Sequence, residues 1–131
     1  MEILKIKTRN RKIGDIGEDA AAKLLKSKKF KIIKRNFVAV NHEIDIIAEN
    51  REVQIFVEVK CRQIKADEFV RPAEAVTKDK QRAIISAASY YTAYCPSDKK
   101  KRFDVIEVYV KDVDGKISVV DVNHIEDAFR K

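Results

Sequence analysis

The run Glu43-Ile44-Asp45-Ile46-Ile47-Ala48, the polar link Glu49-Asn50-Arg51-Glu52 and the run Val53-Gln54-Ile55-Phe56-Val57-Glu58-Val59-Lys60 decide how this chain folds. Two short segments rich in β-branched residues around a polar link are the pattern of a β-hairpin. Side chains alternate faces along a strand. In the second run Val53, Ile55, Val57 and Val59 therefore make a purely aliphatic face, opposite Gln54, Phe56, Glu58 and Lys60. In the first, Ile44, Ile46 and Ala48 oppose Glu43, Asp45, Ile47 and Glu49. A two-residue turn at Asn50-Arg51 places Asp45 opposite Phe56 and diagonal to Glu58; a register slipped by two residues places it directly opposite Glu58. In both registers the two acids share a face, within roughly 5–8 Å at Cβ.

Two carboxylates so placed repel by about 3 kcal/mol at ~5 Å in an effective dielectric near 20. A divalent cation removes that repulsion, and a hard ion such as Mg²⁺ takes one or two carboxylates together with water and phosphate oxygens. Lys60, two residues beyond Glu58 on the same face, adds a positive charge that can bind a phosphate oxygen or orient a water. Acid, acid and lysine then form a set able to hydrolyse a phosphodiester with a metal ion. Taken alone, Glu-x-Lys is common on solvated strands. Here Phe56 stands between acidic positions in a strongly apolar strand, which fits a partly covered cleft better than an open face.

Before the hairpin, Ile13, Ile16, Ala20 and Leu24 fall at helical spacing, predicting a first helix from Ile13 to about Lys29. Residues 1–12 are mixed basic and apolar and read as a flexible lead-in, leaving residues 13–131 as one domain. Phe30 to Val40 reads as a strand pair or one bent strand. Residues 63–72 read as a loop ending in Pro72, and Thr77 is a candidate N-cap for a second helix ending near Cys95, before Pro96. Phe103–Val110 and Lys116–Val122 read as strands joined through Asp112-Val113-Asp114-Gly115, and Glu126–Phe129 as a last helical turn. This alternation predicts an α/β or α+β domain, a mixed sheet flanked by two main helices.

At 131 residues the chain can bury an ordinary core without staples. It carries a net charge of +7, unevenly placed: residues 1–36 hold twelve Lys and Arg against four Asp and Glu, while the remainder is near neutral. Such asymmetry points to a polyanionic partner, nucleic acid or an anionic surface. No apolar run approaches the ~20 residues needed to span a bilayer, so no membrane association is expected. The start Met1-Glu2-Ile3-Leu4-Lys5 lacks the apolar region of a signal peptide, and Cys61 and Cys95 are too few for a disulfide framework. A cytoplasmic, reduced protein is expected.

The blocks Gly17-Glu18-Asp19-Ala20-Ala21, Arg35-Asn36, Glu43-Ile44-Asp45-Ile46-Ile47-Ala48, Phe56-Val57-Glu58-Val59-Lys60-Cys61-Arg62, Pro72-Ala73-Glu74-Ala75-Val76, Lys80-Gln81, Arg102-Phe103-Asp104-Val105 and His124-Ile125-Glu126-Asp127-Ala128-Phe129 resemble, in order, the motifs of the YraN family. They cover nearly the whole chain from residue 13. That family is assigned to the restriction-endonuclease-like, PD-(D/E)XK nuclease superfamily. The resemblance implies an α/β restriction-endonuclease-like core, a central mixed β-sheet flanked by α-helices. It implies Asp45 as the metal-binding aspartate, Glu58 as the second carboxylate and Lys60 as the catalytic lysine. Glu18 matches an additional acidic position carried by archaeal Holliday-junction resolvases of the same superfamily, and so joins the expected metal ligands. His42 stands where the family reads Gly, leaving the acids in place.

The expectation is a Mg²⁺- or Mn²⁺-dependent endonuclease, structure-selective or nonspecific on DNA. The alternative is a nucleic-acid-binding module on a nuclease-like fold that does not cleave. Arg35, Arg62 and Gln81 are candidate nucleic-acid contacts, although each alone reads more readily as a surface residue. Nothing in the sequence resembles a base-reading device. Nucleases of this fold often act as homodimers so that both strands can be cut. His42 and His124 lie far apart with no third ligand at zinc spacing. Cys61 is expected to face the aliphatic side as a small buried hydrophobe, and Asp104 to be structural.

Overall fold

In the computed structural model, which describes residues 2–65 and 76–131, the chain runs α1 (Glu2–Ser27), β1 (Lys31–Ala39), β2 (His42–Glu49), β3 (Val53–Gln63), α2 (Lys78–Tyr94), β4 (Lys100–Val113) and β5 (Lys116–Phe129). The strands form one sheet in the order β1-β2-β3-β4-β5. The β3/β4 pair is parallel, because α2 lies on the connection between them, and every other neighbouring pair is antiparallel. This is the expected mixed sheet with a helix on each face. The Pro72–Ala75 block lies outside the described residues.

Two apolar clusters divide the sheet's faces. Ala21, Ala22 and Leu25 of α1 pack on Ile46, Ala48, Val53, Ile55 and Val57, with Ile106, Val108 and Val110 of β4 beneath. On the other face Ile84, Ala87, Ala88 and Tyr91 of α2 cover Ile44, Ile47, Phe56, Phe103 and Phe129. Fully burying one such side chain contributes about 1.5–3 kcal/mol, so these two seams hold the helices on the sheet. Thr77 caps α2 as expected, its hydroxyl accepting from Lys80 N at 3.2 Å.

Three local readings differ from expectation. α1 takes in residues 2–12 and so begins before the helix start expected at Ile13. No proline interrupts that segment, and Arg9 ion-pairs with Asp112 of β4. Glu126–Phe129 is the end of β5 and not a helical turn, because Phe129 pairs with Phe103 across the ladder and stacks on its ring at 5.2 Å. The hairpin turn falls on Arg51-Glu52, one residue later than Asn50-Arg51: Asn50 N donates to Val53 O at 3.0 Å, and Asn50 Oδ1 accepts from the backbone N–H groups of Glu52 and Val53.

That shifted turn selects between the two registers. Ile47 pairs with Phe56 and Ile46 with Val57, so Asp45 and Glu58 are the next positions across from one another. The aliphatic face of β3 is as expected. The alternation of β2 is not: Ile46 and Ala48 pack on the α1 side, whereas Ile44 joins Ile47 on the α2 side. The break falls at Asp45, in register between partners Arg35 and Phe37 of β1, where Asn36 has φ 55°. A left-handed residue in a strand bends it and re-aims its side chains.

Candidate metal centre

Gly17 brings α1 to the site. A Cβ at that position would lie 2.9 Å from both Cβ and Sγ of Cys61 on β3, so only glycine allows helix and strand to approach this closely. The next residue, Glu18, then reaches past the helix edge to the break in β2. There one oxygen each of Glu18, Glu43 and Asp45 lie within 4.8 Å of one another. Helix, strand and strand bend each supply a part of this cluster.

Asp45 is held by β3 beyond the last paired positions, its Oδ2 accepting from Val59 N at 2.7 Å. Burial pushes its carboxyl up to about 7, with the charge of Glu58 adding to the rise and the Val59 hydrogen bond opposing it. Glu18 is also raised by burial, against the lowering influence of Asn36 and Arg35. The Asn36 amide donates to Glu18 Oε1 at 2.8 Å and to Glu43 Oε1 at 2.6 Å. A neutral amide thus bridges two carboxylates where a cation would neutralise them. Three oxygen donors converging around the half-buried Asp45 suit a hard divalent ion such as Mg²⁺ or Mn²⁺.

Of the remaining expected residues, Glu58 and Arg35 lie close to this cluster. Glu58 is buried at 7% exposure, and its Oε1 takes an ion pair from Lys80 at 2.7 Å on the α2 side. It acts on Asp45 through charge and stands outside the three-acid group. Lys60 is half-buried, two residues on from Glu58 and in register with Glu107 of β4. Arg35 pairs with Asp19 at 2.9 Å and reaches Glu18 at 3.8 Å, so its guanidinium lies beside the acids. Arg62 is half-buried on β3, in register with Tyr109. Gln81 donates its side-chain amide to Val76 O at 2.9 Å and closes the start of α2.

Glu43, Asn36 and Lys80 were not singled out from the sequence. Glu43 carried a signal, being two residues before Asp45. The parts played by Asn36 and Lys80 depend on a left-handed backbone and on a helix crossing the sheet, neither of which residue spacing reveals.

Asp104, by contrast, is structural as expected. Fully buried, it accepts two bonds from Arg102 at 2.8 Å, one from His124 Nε2 at 2.8 Å and one from Asp127 N at 3.0 Å. Burial opposes its charge, but these bonds outweigh that and hold its carboxyl below the usual range. Cys61 is half-buried against α1, and burial pushes its thiol up. Among the described residues no helix is long and apolar enough to cross a membrane.

The model of the uncharacterised protein family UPF0102, which is the YraN family, matches residues 17–108. That span runs from Gly17 through all the acids of the cluster to β4. A UPF0102 protein of Clostridium perfringens is 42% identical over 130 residues, covering 95% of this chain and 99% of the relative. One from Caldanaerobacter subterraneus is 39% identical, over 94% of this chain and 98% of the relative. Another, from Symbiobacterium thermophilum, is 43% identical over 76% and 83% respectively.

Proposed function

This chain belongs to the UPF0102 family, and within it we propose that the protein is a metal-dependent nuclease hydrolysing phosphodiester bonds of nucleic acid, DNA in the first instance. The observation that carries the reading is the convergence of one oxygen each of Glu18, Glu43 and Asp45 within 4.8 Å, with Glu58 near enough for its charge to act on Asp45. In this reading Asp45, Glu18 and Glu43 hold Mg²⁺ or Mn²⁺, with Glu43 in the place expected of Glu58. A bound ion of this kind neutralises charge at the scissile phosphate and acidifies water there. Val59 N–H fixes Asp45 so that its second oxygen is left for the ion. Lys60 supplies the positive charge that holds a phosphate oxygen or orients the attacking water. The basic turns of α1 lead away from Glu18 along one helix, at 1.5 Å per residue, and attract the polyanion by charge. The absence of a base-reading element among the motifs favours structure-selective or nonspecific action.

One observation favours the second reading, a nucleic-acid-binding module that does not cleave: Glu58 is engaged by Lys80. The two are separated by incubating the protein with branched, flapped, single-stranded and duplex DNA, and with RNA, in Mg²⁺ and in Mn²⁺. Cleavage abolished by both Asp45→Asn and Lys60→Ala supports the nuclease. Salt-dependent binding without cleavage on every substrate supports the module. Cleavage that survives both substitutions sinks the assignment.

A further inference from the structure

Away from the acids, the start of β4 and the end of β5 enclose a cavity of about 340 Å³, at the lower end of the roughly 300–1,000 Å³ range of small-ligand pockets. Its wall carries Lys100, Lys101, Arg102, Arg130 and Lys131. The stacked rings of Phe103 and Phe129 provide its apolar side. None of these residues belongs to the acidic cluster. Along the sheet, Phe103 is in register with Phe56, two residues before Glu58.

The charges here are only partly neutralised. Arg102 is committed to buried Asp104, and Lys101 Nζ donates to the carbonyls of Ser97 and Lys99 at 3.0 Å. Lys100 and Lys131 have no acid within ion-pair distance among the described residues. The one acidic side chain on the wall is Asp127, gripped by Arg130 through Nη2 at 2.5 Å and Nε at 3.1 Å. Its backbone sits at φ 52°, in the left-handed region. Arg130 first, then Lys100 and Arg102, hold its carboxyl below the usual range. A single carboxylate therefore fills the fork of an arginine in a basin that has further positive charge to spare. Arginine forks receive carboxylate and phosphate with the same paired geometry.

We propose that this cavity is a phosphate-binding site, and that Asp127 occupies the phosphate position until a phosphoryl group displaces it from Arg130. The phosphoryl group is carried either by a nucleic-acid strand or by a free phosphate or nucleotide. The site does not depend on the acids of the metal centre, so it stands whether or not the protein cleaves.

Inorganic phosphate titrated into ¹⁵N-labelled protein at constant ionic strength, with chloride as control, tests this. Saturable shifts at Lys100, Asp127 and Arg130 are expected. Asp127→Asn, which tolerates the left-handed backbone, removes the competing charge and binds about three- to tenfold tighter. Arg130→Gln, at an exposed position, binds about tenfold more weakly. Asp45→Asn leaves the shifts unchanged, separating this site from the nuclease reading. A 5′-phosphorylated oligonucleotide that produces the same shifts, where its unphosphorylated counterpart does not, identifies a strand as the source. Shifts produced only by phosphate or mononucleotide identify a small anion. Shifts matched by chloride, or Asp127→Asn that binds no more tightly than wild type, overturn the proposal.

Discussion

Lys80, in the first turn of α2, places its ammonium 2.7 Å from Oε1 of Glu58, a carboxylate with only 7% of its surface exposed. The pair joins a helix on one face of the sheet to the strand that also fixes Asp45 through Val59. Glu58 thereby has two competing attractions, the lysine on the α2 side and any cation among the acids.

Lys80→Met keeps the aliphatic stem and leaves Glu58 without its ion-pair partner. Because Lys80 is itself partly exposed, the expected loss is about 1–2 kcal/mol, below the ~3–5 kcal/mol of a fully buried pair. Thermal unfolding in EDTA and in Mg²⁺ measures it. The gap between variant and wild type narrows with Mg²⁺ if the released carboxylate turns toward the ion. An equal gap in both conditions shows that Glu58 stays on the α2 side.

Asp45 makes the metal-free protein pH-dependent. Its carboxyl stands near 7 in the fold against 3.8 in the open chain, so the folded state holds its proton more tightly. Stability from this group is complete below about pH 4 and is lost as pH rises toward and through 7. The loss has an upper bound of about 4 kcal/mol. In EDTA, Asp45→Asn is therefore more stable than wild type at pH 8, and this advantage disappears by pH 4. Denaturant melts across that range check it; an advantage independent of pH contradicts the assigned burial of charge.

Gly17→Ala places a methyl group 2.9 Å from Cβ and Sγ of Cys61. Overpacking of this kind costs about 1–3 kcal/mol. Cys61→Ala does not relieve it, since the Cβ at residue 61 is itself at that distance. Chemical denaturation of the two single variants and the double variant tests this. Full rescue by Cys61→Ala would show that only the sulfur is in the way.

Asp104→Ala strands Arg102 and His124 against a site whose carboxylate was fully buried. The expected cost is about 3–5 kcal/mol, read as a lowered denaturant midpoint with an unchanged slope. A loss under 1 kcal/mol would mean that Arg102 reaches Glu126 and water at no penalty.

Much of this was legible from residue order. The aliphatic face of β3 and the Thr77 cap depend on strand alternation and local hydrogen bonding, which sequence records directly. Asp45 and Glu58 followed from the same alternation, and the structure chose one of the two registers because Asn50 places the turn on Arg51-Glu52. What spacing missed depends on contacts distant in sequence. Phe129 is drawn into β5 by Phe103. The left-handed Asn36 reverses the faces of its neighbours, so that Glu43 and Asp45 meet Glu18 instead of lining the α2 side.

Because Glu18 arrives on α1 while Glu43 and Asp45 arrive on β2, the cluster exists only while the helix is seated on Cys61 through Gly17. Any excursion that lifts α1 from the sheet dismantles the cation's ligands without unfolding a strand. By linkage, an ion that needs all three acids must hold the helix down. Amide exchange along α1 thus becomes a gauge of loading: it slows as divalent ion is added, while exchange in the β4–β5 ladder does not change. Affinity at this centre is then a property of helix docking as much as of the carboxylates themselves.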